Sequence, residues 1–135
     1  MRVALFRKGH FNAAHKLYVD DWSEEKNRET FGKCANPNFH GHNYDLEIKV
    51  VGEVDPVTGM VMDLKELKQI IKEEVEDRFD HKNLNLDCEE FEDMMPSAEN
   101  MAIVIHGILS KRLGDDLDVT VRLYETARNY VEFPA

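Results

Sequence analysis

Two stretches of helical periodicity lie between pairs of alternating segments, and this order of periods limits the chain more than any single motif. Residues 3–15 mix Val, Leu, Phe and Ala in broad alternation, and Tyr44 to Val51 sets Leu46, Ile48 and Val50 on one face of a strand. Val54-Asp55-Pro56-Val57-Thr58-Gly59 is turn chemistry, after which Asp63 is positioned to cap a helix. Leu64, Leu67, Ile71, Val75 and Phe79 then recur at three- and four-residue steps, which predicts one apolar stripe running to about Asp80. A second helix is predicted from Ser97 to about Leu113, stopped by Gly114. Val119, Val121 and Leu123 alternate again, and Tyr130, Val131 and Phe133 remain for a closing strand beyond a turn near Ala127 to Asn129. The expected fold class is therefore α+β, a four-stranded antiparallel sheet with two helices on one face. Its other face would need a partner or water.

At 135 residues, with no internal repeat and no Gly/Ser linker, the chain reads as one domain over residues 1–135. Seventeen Lys plus Arg against 27 Asp plus Glu give a formal charge of −10, which repels phosphate backbones and anionic lipid, so neither nucleic acid nor membrane is expected as a partner. The opening residues are interrupted by cations too often for a signal-peptide core, and the expected location is cytoplasmic. In a reducing compartment Cys34 and Cys88 are read as separate thiols. Residues 1–19 carry Arg2, Arg7, Lys8 and Lys16 and no acid, while Asp87 to Asp93 carries five acids and reads as solvated surface.

His40-Gly41-His42 puts two imidazoles on one face of an extended chain, about 6.5 Å apart, where they can converge on one ion. The glycine between them would let backbone crowd close. An H-x-H triplet alone also arises by chance, so a third ligand is needed. His15 ends Phe11-Asn12-Ala13-Ala14-His15, where small residues leave room beside the ring and a neighbouring strand could carry it to the other two. His10 has the opposite strand parity and should point away. Three histidines without a cysteine pair suit Zn2+ and leave a fourth position open, the pattern of a catalytic ion. His106, inside the second predicted helix, reads as a packed helical residue.

Cys34 lies in a loop-forming stretch beside Lys33, whose cation would lower the thiol pKa and favour a reactive thiolate; the alternative is an inert buried cysteine. Cys88 between Asp87 and Glu89 reads as a bystander. Asp80-His81 is either an acid fixing a histidine tautomer for proton transfer or an exposed helix end. Glu125 falls on the strand side opposite Tyr124, and a buried carboxylate there could accept two parallel hydrogen bonds from a flat N–C–N edge.

Taken together, Phe11-Asn12-Ala13-Ala14-His15, the run from Gly32 to Tyr44, Asp55 to Leu64, Asp80-His81-Lys82-Asn83-Leu84 and Tyr124-Glu125-Thr126 resemble the 6-pyruvoyl-tetrahydropterin synthase family across almost the whole chain. The resemblance implies a tunnelling fold whose sheets join into a barrel of three subunits, two such trimers making a hexamer. It implies zinc on His15, His40 and His42, Cys34 as base, Asp80 and His81 arriving from a neighbouring subunit, and Glu125 anchoring the pterin, with Ser97 and Glu99 also at the substrate. The implied reaction converts 7,8-dihydroneopterin triphosphate to 6-pyruvoyl-tetrahydropterin with loss of triphosphate and an internal redox shift. A sibling activity, 6-carboxytetrahydropterin synthase of the deazapurine (queuosine) pathway, starts from the same substrate and releases acetaldehyde as well; the five residues between Cys34 and His40 fit the pyruvoyl-forming type. A non-catalytic zinc or pterin binder would be expected to lack Cys34, His81 or Glu125. Phe39 stands where family members commonly have glycine and Ala98 where threonine is common, so the pocket's shape departs from the pattern there.

Overall fold

The computed structural model describes residues Met1–Ala135. Strands β1 (Arg2–His15) and β2 (His40–Glu53) form a long antiparallel pair, β2 continues to β4 (Asp118–Tyr124) and β4 to β5 (Tyr130–Phe133). The expected four-stranded antiparallel sheet is corrected by β3 (Lys82–Asn83), which adds parallel to β1 and makes a mixed five-stranded sheet of order β3-β1-β2-β4-β5. Two residues are too few for any periodic signal, so pairing against β1, not pattern, defines this strand.

The helix after Asp63 begins where its cap predicts, with the Asp63 carboxylate accepting the Lys65 N–H at 2.8 Å. It comprises α2 (Leu64–Ile71), a π-helical turn (Lys72–Glu76) and α3 (Asp77–Phe79). Leu67, Ile71, Val75 and Phe79 are spaced by four, and each such step overshoots a 3.6-residue turn by about 40°. The wider π turn absorbs the overshoot, and all four are buried. Leu64, assigned to the stripe by spacing, is instead 48% exposed at the first turn.

The long α5 (Ala98–Leu113) is capped by Ser97 Oγ and ends at Gly114, which takes φ +87°. Met101, Ala102, Ile105 and Leu109 from α5 and Leu67, Ile70 and Ile71 from α2 close over Phe11, Leu46, Ile48, Val50, Val119, Val121 and Leu123 in one core. The opposite sheet face is polar: His10 pairs with Asp45, and Arg122 with Glu132 and Glu47. Two short helices, α1 (Glu24–Phe31) and α4 (Leu84–Asp87), add to the two predicted ones. No helix is long and apolar enough to cross a membrane.

Candidate metal centre and its surroundings

Strand register gathers the three histidines. His15 stands directly across from His40, and His42, two residues along β2, pairs with Ala13, so all three rings project on the helix-covered face at one end of the sheet. Ring centroids lie 4.6 Å (His15 to His40), 4.8 Å (His40 to His42) and 5.1 Å (His15 to His42) apart, each pair edge to face. Their candidate ligand atoms are all within 4.8 Å of one another, near enough for small ring rotations to bring them onto one ion. His15 is fully buried and its Nδ1 meets the Pro96 carbonyl at 2.7 Å, which holds the proton on Nδ1 and leaves Nε2 free. Four ring nitrogens are buried without a partner: His15 Nε2, both nitrogens of His40, and His42 Nε2. Unpaired lone pairs converging from three sides are what a metal ion requires, so the residues fit a metal site.

Charge and burial favour the neutral, ligating form. Burial pushes the His15 pKa down to about 4, with His40 and His42 adding to the effect. Burial and then His42 lower the His40 pKa as well. The glycine between the two β2 histidines is not demanded by crowding, because a Cβ at Gly41 would meet only Ala13 O, at an ordinary 3.7 Å.

Glu125 follows β4 in a turn that Thr126 Oγ ties by accepting the Arg128 and Asn129 N–H groups, and Glu125 N–H donates to Asn129 O at 3.1 Å. The turn brings its carboxylate 3.7 Å from His42 Nε2, on the expected side of the strand. A cleft of about 410 Å³ opens beside it, lined by Leu17, Ser97, Glu99, Glu125, Arg128 and Tyr130 among others. Ser97 Oγ is already engaged as the α5 cap, accepting from Asn100 N–H at 3.2 Å. Beneath the histidines lies Tyr44, stacked on Phe11 at 5.0 Å, its hydroxyl 3.5 Å from His15 Nδ1. Burial, Glu125 and Cys34 hold its phenol well above the usual range.

Cys34 sits half-buried in a short 3-10 turn (Gly32–Ala35) that α1 delivers. Ser23 caps α1, Trp22 stacks on Phe31 at 6.0 Å, and fully buried Asn27 bonds the Val19 N–H and carbonyl. The expectation that Lys33 lowers the thiol pKa is reversed: Lys33 faces solvent, and burial first, then Glu125, push Cys34 upward. Cys88 is buried, its thiol raised to about 11 by burial and by Glu90 and Asp87, as expected of a bystander.

Asp80 and His81 are held at the far edge of β1. Asn12 N–H donates to Asp80 Oδ1 at 2.9 Å, His81 N–H donates to Asn12 O at 2.6 Å, and Asp80 Oδ2 meets His81 Nδ1 at 2.8 Å. His81 adopts φ +58°, a conformation uncommon outside glycine. Its ring is 78% exposed and faces a cleft of about 520 Å³ that Asn12, Ala14, Gly41, Asn43 and, from the cluster, His42 also line. Within one chain the pair makes no hydrogen bond or ion pair with Cys34, Glu125 or the three imidazoles. His10 pairs with Asp45 on the open face, and His106 meets Ser110 Oγ and the Phe133 ring, both outside the centre.

Fold and site together define an α+β protein with a three-histidine candidate metal centre beside a thiol and a carboxylate. Residues 4–135 match the family model described as PTPS, 6-pyruvoyl tetrahydropterin synthase, and the chain belongs to that family. It is 45% identical over 127 residues to the 6-pyruvoyl tetrahydrobiopterin synthase of Pongo abelii, covering 94% of this chain and 88% of that protein. The counterpart from Dictyostelium discoideum is 42% identical over 131 residues, covering 97% and 95%. The solved Caenorhabditis elegans 6-pyruvoyl tetrahydropterin synthase superposes with a TM-score of 0.90 at 39% identity, covering 98% of this chain and 95% of that one.

Proposed function

We propose that this chain is a zinc-dependent 6-pyruvoyl-tetrahydropterin synthase, a lyase that eliminates triphosphate from 7,8-dihydroneopterin triphosphate. The observation that carries the reading is the set of orphaned imidazole nitrogens on His15, His40 and His42 beside Cys34 and Glu125, in a member of this family. His15, His40 and His42 would hold Zn2+, which when bound would supply Lewis acidity for the substrate's side-chain hydroxyls and the carbon-bound protons next to them. Glu125 accepts two parallel hydrogen bonds from the amino-pyrimidine edge and fixes the ring, with Ser97 and Glu99 at the rim of the same cleft. Cys34 removes a carbon-bound proton, the triphosphate departs, and the redistributed hydrogens leave the ring reduced and the side chain a diketone. No external nicotinamide is needed. Burial and Glu125 disfavour the Cys34 thiolate in the metal-free chain, and a dication bound nearby would act against both.

Asp80 and His81 complete the proton path from a second copy, a reading supported by the lack of any hydrogen bond or ion pair between them and Cys34, Glu125 or the three imidazoles of their own chain. As the family resemblance implies, the working unit in this reading is a cytoplasmic homo-oligomer, a hexamer built as a dimer of trimers, each chain contributing one domain. Incubating zinc-loaded protein with 7,8-dihydroneopterin triphosphate and identifying products by mass spectrometry tests the reading. The expected products are 6-pyruvoyl-tetrahydropterin and triphosphate; acetaldehyde among them would reassign the chain to the 6-carboxytetrahydropterin reaction.

A further inference from the structure

We propose that Asn85 is a positioning residue that fixes the Cys34 turn and the histidine cluster relative to the Asp80-His81 segment. The inference rests on the proposed function in taking Cys34 and the cluster as the reacting groups. Strand β3 ends at Asn83, paired with Ala14, so the next outward-facing peptide on that edge of β1, at Lys16, has no strand partner. Asn85 supplies one from its side chain: Oδ1 accepts the Lys16 N–H at 2.8 Å and Nδ2 donates to the Lys16 carbonyl at 2.9 Å. A carboxamide making both bonds imitates a strand residue's peptide group. One residue on, the Leu17 N–H points to the opposite edge and donates to the Cys34 carbonyl at 2.8 Å. The stretch from His15 to Leu17 is therefore the middle of a three-part ladder, with Cys34 on one side and the segment that follows His81 on the other.

Asn85 is itself braced. Asn83 Oδ1 accepts the Asn85 and Leu86 N–H groups, and Asp87 Oδ2 accepts the Asn83 N–H at 2.9 Å. Asn27 on α1 makes a similar clamp on Val19, but across only 8 residues. The Asn85 clamp spans 69 residues and extends, past the end of β3, the contacts that Asp80, His81 and β3 make along the same edge of β1.

Two variants grade the clamp: Asn85→Asp keeps the acceptor and loses the donor, and Asn85→Ala loses both. Leu109→Ala, a core truncation on α5, supplies a weakened protein whose clamp is intact. The readouts are kcat and KM of the zinc-loaded enzyme, and the rate of Cys34 alkylation by iodoacetamide followed peptide by peptide. Asn85→Ala should lower kcat by about a hundredfold with KM within about threefold, the size of effect a misplacement near 1 Å produces. Its Cys34 alkylation rate should change by about fivefold or more as the turn loses its anchor, with Asn85→Asp in between and Leu109→Ala at the wild-type rate. Wild-type kcat and alkylation in folded Asn85→Ala would overturn the proposal, as would equal changes in Leu109→Ala; if Asn85→Ala does not fold, wild-type values in Asn85→Asp would overturn it equally. Alkylation needs no substrate, so it reports on the clamp even where the proposed reaction fails.

Discussion

The two ends of the helix-covered sheet face are made by the same strands and finished differently. Toward the middle, Leu46, Ile48, Val50, Val121 and Leu123 are closed over by α2 and α5. At the other end of the same face, residues of the same strand parity, His15, His40 and His42, leave four ring nitrogens without partners. An unpaired buried polar group costs about 1–3 kcal/mol. The apolar end is complete once the chain folds, whereas the histidine end is complete only when something binds it, and that contrast separates the part of the sheet that stabilises from the part that works.

The sharpest way to break the contrast is to remove groups from the histidine end. His40→Ala should lose bound zinc on dialysis and lose turnover with it, as read by metal analysis and product assay; a variant that keeps its zinc would exclude His40 as a ligand. Cys34→Ala should abolish turnover while metal content stays at the wild-type level, and retained turnover would remove Cys34 as the base. At the apolar end the signature is inverted. Ile48→Ala, at a fully buried position, should lower stability by about 2–5 kcal/mol in denaturant titration with zinc affinity unchanged.

A pH titration of the metal-free protein tests the histidine end without mutation. Folding depresses the His15 pKa to about 4 from 6.5, so the unfolded chain takes up the proton first. The stability this ring contributes is therefore complete above pH 6.5 and is lost as pH falls toward 4, amounting to about 3 kcal/mol. Absence of any slope in that window would show that His15 is not buried as a neutral ring. The smallest effect is expected beside His15: Lys16→Glu, which reverses one cation of the acid-free first nineteen residues, should raise KM for the anionic triphosphate substrate with kcat little changed, and an unaltered KM would show that this charge does not draw the substrate in.

Legibility in the sequence follows the same division. The sheet strands and the long helices announce themselves because one-sided burial imposes a period, and two of the three clustered histidines are readable because His40-Gly41-His42 inherits that period. Cross-strand register puts His15 opposite His40, which no local pattern encodes. Helix α1 is silent because its only buried residue is a polar one, Asn27, so its inner face carries no apolar stripe. The direction of the Cys34 pKa is hidden because its neighbour in sequence, Lys33, faces solvent, while the carboxylate that acts on the thiol lies 91 positions further along the chain. Asp80 and His81 are legible as a pair, but their outward aim depends on β3 and on the φ of His81.

The π turn at Lys72–Glu76 has a consequence beyond core packing, because the chain from it to Asp80 and His81 is only the single helical turn of α3. It acts as a phase setter. Keeping all its residues but imposing the ordinary helical pitch would carry Phe79, eight residues beyond Ile71, about 80° past two full turns of the helix. Phe79 would then leave the core and the acid-imidazole pair would face a different direction altogether. A wide turn thus indexes the angle at which the helix hands the chain on to Asp80 and His81.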